Sequence, residues 1–114
     1  MRQLIVAPLA RVATVAILHA TEAKYDAATA DRYRALIQQA YVDLLADPRR
    51  PGVKSDRDIP ADLRLYAIRH SRRRLAAGRG PRFARHVVAF RFSETAVEII
   101  DLLHDSMDLP ARLR

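Results

Sequence analysis

Residues 86–103 read HVVAFRFSETAVEIIDLL. Two apolar runs flank a three-residue break. In His86–Phe92, the side chains of Val88, Phe90 and Phe92 alternate onto one face, the period-two signature of a strand. Ser93, Glu94 and Thr95 make a tight connection, and Ala96–Leu103 (AVEIIDLL) is a further strand. Strands this close in sequence pair antiparallel. The fold is therefore built on a sheet, and the segments to either side must supply its remaining strands and its cover.

Upstream lies a long basic connection, SRRRLAAGRGPRFAR (71–85). Before it, LRLYAIRH (63–70) alternates again, with Leu63, Leu65 and Ala67 on one face and Tyr66 and Ile68 on the other. This predicts a third strand. The proline-rich stretch 48–62 is a loop. Residues 27–46 carry helical spacing: Ala30, Tyr33, Ile37, Ala40, Tyr41, Leu44 and Leu45 form one stripe, with Asp31, Arg34, Gln38 and Asp43 elsewhere on the wheel. Asp26 or Thr29 can cap this helix, and Asp47-Pro48 stops it. Residues 9–24 place Leu9, Val12, Ala16, Ala20 and Ala23 at steps of three and four. Val15, Ile17 and Leu18 widen the arc, so this helix is expected to be covered on more than one side. The short connection at 24–28 predicts a helical hairpin. Leu4–Ala7, closed by Pro8, reads as a first strand at an edge. After His104 comes a short helix or tail, with Asp105 or Ser106 as cap, Pro110 limiting its length and Met107 packing back. The order is β-α-α-β-β-β. It predicts an α+β fold in which an antiparallel sheet packs against a helical hairpin.

The chain has 114 residues and no cysteine. One domain spanning 1–114 with one modest core is expected, and disulfides and thiolate metal sites are excluded. The absence of thiols fits a cytoplasmic protein. The apolar N-terminus superficially resembles a secretion leader. Arg11 interrupts it, leaving only Val12–Thr21 uncharged, too short to span a membrane.

Charge is unevenly distributed. The net charge is +7, and residues 49–93 carry thirteen basic and three acidic side chains. No acid occurs between Asp62 and Glu94, where nine arginines fall. Such a block favours an anionic partner, either nucleic acid or an acidic protein segment, and arginine favours bidentate recognition of phosphate or carboxylate. A solvated basic loop is the plainer alternative.

His104-Asp105-Ser106 contains the residue types of a hydrolase triad. A triad is defined by spatial convergence, and neighbouring side chains on a strand point to opposite faces, so hydrolysis is not expected. Gly78-Arg79-Gly80 is too short for a phosphate-cradling loop. His19, His70, His86 and His104 lack metal-motif spacing, although His70 and His86 could meet if their strands pair. No cofactor and no metal is called for. Metal-free RNA cleavage would use arginine to stabilise the phosphorane and Tyr, His or Glu to move protons. Arg64, Arg91, Tyr66 and His104 are the candidates.

Four stretches together resemble the ParE/RelE toxin superfamily of type II toxin–antitoxin modules, most closely the ParE (plasmid-stabilisation) branch. They are APLA (7–10) after the first strand, ADRYRALIQQAYVDLLADP (30–48), DLRLYAIRH (62–70), and RHVVAFRF (85–92) with AVEIIDLLHDSMD (96–108). The resemblance covers most of the chain and implies a toxin neutralised by a ParD-like antitoxin in a hetero-oligomer. Members of the ParE branch are associated with inhibition of DNA gyrase; the RelE branch cleaves mRNA on the ribosome. Phe90 stands where the family often has Tyr, and Asp101 where a basic residue commonly precedes the LLH element. Both departures remove groups an RNA-cleaving relative would use. The expected contact residues for target or antitoxin are Arg69, Arg72, Arg73, Arg74, Arg82, Arg85, His104 and Met107. The expected function is gyrase inhibition without covalent chemistry. The alternatives are a ribosome-dependent endoribonuclease using Arg64, Arg91 and His104, or a non-toxic basic nucleic-acid-binding module.

Overall fold

A computed structural model describes residues 1–75 and 84–113. The elements run β1 (Gln3–Val6), α1 (Pro8–Lys24), α2 (Ala27–Ala46), β2 (Arg64–Ala67), a 3-10 helix (Ile68–Arg74), β3 (His86–Phe92), β4 (Ala96–His104) and α3 (Leu109–Leu113). The chain is α+β, with the α1–α2 hairpin packed on a four-stranded sheet of order β1-β4-β3-β2.

The β3–β4 hairpin forms the centre as its alternation requires. Ser93 closes the connection: its amide donates to the Ala96 carbonyl (2.9 Å), and its hydroxyl accepts from the Thr95 and Ala96 amides. The sheet is mixed rather than wholly antiparallel. β1 pairs parallel with β4, in register from Gln3 against Ala96 to Val6 against Ile99. The α-hairpin supplies the crossover that a parallel pair needs. Pro8, at the first helical position of α1, tolerates its missing N–H there.

β2 is shorter than its alternation suggests. It pairs with β3 from Arg64–Phe90 to Ala67–Val87, and the chain then coils into the 3-10 helix. The Tyr66 hydroxyl bonds Ser71 Oγ at 2.7 Å, and both residues are fully buried. That bond requires a return of the chain that an extended strand cannot make. The two faces of β2 are as the alternation predicts. Tyr66 and Ile68 join Val88, Phe90, Val97, Ile99 and Leu102 under the helices. Leu63 and Leu65 join Val87, Ala89 and Leu103 on the reverse face. The reverse face is not open either, because Ile59 from the loop and Leu113 from α3 cover it.

Asp26 caps α2, accepting the Thr29 amide at 2.7 Å, and Asp47 ends it. Asp108 caps α3, in place of the expected Asp105 or Ser106. Met107 is exposed rather than packed back. Asp43, assigned by the wheel to the polar side, is 1% exposed. α1 differs most from expectation. Ala10 and Leu18 are its buried residues, while Leu9, Val12, Val15, Ala16, Ala20 and Ala23 all face outward. The spacing finds an apolar face correctly, but that face is uncovered.

Candidate functional site

The open end of the β3–β4 pair gathers the polar side chains. Register sets His86, which starts β3, opposite His104, which ends β4, and their rings meet edge to face at 5.3 Å. From α2, the Tyr33 hydroxyl reaches His86 Nδ1 at 2.5 Å. Burial is the main cause that lowers the His86 pKa to about 4, with the His104 imidazole adding to it. His86 is therefore neutral near pH 7. The Tyr33 hydroxyl and His86 Nδ1 share this hydrogen bond, and its direction sets which ring nitrogen carries the proton. Burial also pushes the Tyr33 phenol up to about 12, so it stays protonated near pH 7.

His104 Nδ1 contacts Ser106 Oγ at 2.7 Å and accepts the Ser106 amide at 3.1 Å. Asp105 lies 3.5 Å from the same nitrogen and pairs with Arg85 at 3.0 Å. Ser106 does reach the neighbouring imidazole, contrary to the expectation from adjacency. Serine and aspartate nevertheless converge on one ring nitrogen, whereas a relay needs them on opposite nitrogens. The run is a turn that fixes the His104 ring. What it can offer chemically is a neutral imidazole beside a second imidazole, with a phenol behind the first.

Arg64 and Arg91 do not join it. Arg64 donates to the Ala61 and Leu63 carbonyls, and Arg91 is held by Glu98 at 2.7 Å and by Asp62 at 3.5 Å. Both lie around the Phe90 level of the sheet, about 13 Å along β3 from His86. Tyr66 is sealed in the core. His70 lies against Gly52 and the Tyr66 ring, away from His86. Among the described residues, no cluster of three or more His, Asp or Glu side chains could hold a metal ion.

Of the expected contact residues, Arg69, Arg72 and Arg73 are exposed on the 3-10 helix. Arg74 lies 3.4 Å and Arg50 3.3 Å from the buried Asp43 carboxylate, which also accepts from Gln39. This clamp ties the 3-10 helix and the 48–53 loop to α2. Arg82 lies outside the described residues. Tyr33 and Asp43 are the groups that sequence reading misses as polar partners. Tyr33 sits in a core stripe, and nothing local marks a bond to a residue 53 positions away.

No family model matches the chain, and no curated protein matches its sequence. No helix among the described residues is long and apolar enough to cross a membrane.

Proposed function

We propose that this protein is the toxin of a type II toxin–antitoxin module of the ParE kind. It acts in the cytoplasm by binding DNA gyrase and is held inactive by a ParD-like antitoxin. The reading rests on the resemblance of the four sequence stretches, and the observed order of elements is compatible with it. The observation that favours binding over RNA cleavage is the separation of charges. Arg64 and Arg91 are tied to partners at one level of the sheet, the histidine pair lies at the other, and Arg85 beside that pair is neutralised by Asp105. Phosphodiester cleavage without a metal needs a cation at the developing phosphorane charge. Meanwhile Arg69 and Arg73 are displayed on one short helix, suited to an acidic protein surface.

The test measures supercoiling by purified gyrase with the protein added, alongside transcript integrity after induction in cells. The expected result is inhibited supercoiling with bulk mRNA intact. Supercoiling left untouched while transcripts are cut sinks the gyrase reading.

One observation favours a second reading, the ribosome-dependent endoribonuclease: the Tyr33–His86–His104 line could move protons. Under it, His104→Ala abolishes transcript cleavage while Arg64→Ala leaves it largely intact. Salt-sensitive binding to bare DNA without growth arrest replaces both readings with a nucleic-acid-binding module.

A further inference from the structure

The outward face of α1 is an apolar surface that the candidate site does not use. Leu9, Val12 and Val15 are 59%, 67% and 69% exposed, and with Ala16, His19, Ala20 and Ala23 they form a stripe without Asp, Glu, Lys or Arg along the helix. Exposed valines in such a row are a cost in water unless something covers them. The order of sizes along the stripe is directional: the bulky aliphatic residues lie in the N-terminal half, and alanines, with His19 among them, in the C-terminal half.

A second copy running antiparallel fits this order. With the two-fold axis at Ala16, Val12 of one copy meets Ala20 of the other, and Leu9 meets Ala23, large against small at each level. The flanking charges agree. Arg11 and Glu22 are both exposed and lie about three turns apart, so they share one edge of the stripe. They line the same groove toward α2. In a two-fold antiparallel pair, equivalent edges face each other in reverse order. Arg11 of each copy then approaches Glu22 of the other, forming two reciprocal pairs. A parallel arrangement would set Arg11 against Arg11 and Glu22 against Glu22. Antiparallel helix dipoles favour the same choice.

We infer that the α1 face is a self-complementary interface through which two copies of this chain associate antiparallel. It is independent of the gyrase and ribosome readings. α1 is about 25 Å long. A face of that length buries less than the roughly 800 Å² per partner of a standard interface. The dimer is accordingly weak and concentration-dependent.

Sedimentation velocity of the full chain from about 1 µM to about 1 mM is expected to show a monomer–dimer equilibrium within that range. Val12→Glu and Ala16→Arg, both at exposed positions, should each weaken it at least about tenfold while thermal unfolding stays unchanged. Arg11→Glu alone and Glu22→Arg alone should each weaken it, and the double reversal should restore it to within about threefold of the parent. A monomer at every concentration overturns the inference. So does a dimer indifferent to Val12→Glu and Ala16→Arg, or a double reversal no better than the singles. A monomer that takes up a foreign amphipathic helix on this stripe overturns it in favour of a different partner.

Discussion

His86 is the residue at which burial and protonation oppose each other most clearly. Its ordinary value of 6.5 falls to about 4 in the fold. Above pH 6.5 the folded and unfolded imidazoles are both neutral. Between 6.5 and about 4 the unfolded ring takes a proton that the folded ring refuses, so stability falls as pH drops through that window and levels off below it. After allowance for partial exposure, the loss is about 1–2 kcal/mol. Urea titrations at several pH values should show this slope, and His86→Phe should flatten it. Asp43 makes the complementary case, a buried carboxylate paired with Arg50 and Arg74. Asp43→Ala strands Arg50, whose side chain is 21% exposed, and should cost about 3 kcal/mol. Arg74→Ala removes a 61% exposed partner and should cost under about 1 kcal/mol in the same titrations.

At the scale of elements, local rules suffice where local forces decide. His86–Phe92 is legible as a strand because its alternation is uninterrupted and both its neighbours in the sheet are close in space and pattern. α2 is legible because Asp26 and Asp47-Pro48 mark both ends. The end of β2 at Ala67 is not legible. Arg69 to Arg74 fold into the 3-10 helix through Ser71 on Tyr66 and Arg74 on Asp43, and the Arg74 contact is long-range in sequence. Likewise, periodicity locates the apolar face of α1 but says nothing of what covers it. At the candidate site, His104 and Arg85 stand out in the sequence, whereas Tyr33 is visible only once α2 lies across the sheet. Gly52 is the element-scale point that only glycine fits. Its φ is +100°, and a Cβ there would meet the His70 ring at 2.8 Å. Gly52→Ala should therefore destabilise by more than about 1 kcal/mol, read as a lowered thermal midpoint, even though Gly52 itself is exposed.

Across the whole molecule, charge is sorted by region: the +10 balance of residues 49–93 is set against the −3 balance of residues 94–114. Part of that opposition is internal, through Arg85–Asp105 and Arg91–Glu98. What is left for a partner includes Arg69 and Arg73. Reversing both to Glu should weaken capture of an acidic antitoxin or target by at least about tenfold, and flatten the dependence of that binding on salt. Titration calorimetry at two ionic strengths checks this, with thermal unfolding as the control for an intact fold.

The parallel pairing of β1 with β4 has a consequence for the order of assembly. β1 is made well before its ladder partners Ala96–Ile99, from which the rest of the fold separates it along the chain. During translation the α1–α2 hairpin can form from neighbouring residues, while β1 waits beside an absent neighbour. Closing that long loop is entropically slow, so sheet completion falls at the end of folding. The histidine pair shares that timing, since His104 takes its place only when β4 zips onto β3. The nascent protein would therefore present its helices well before it owns a finished sheet.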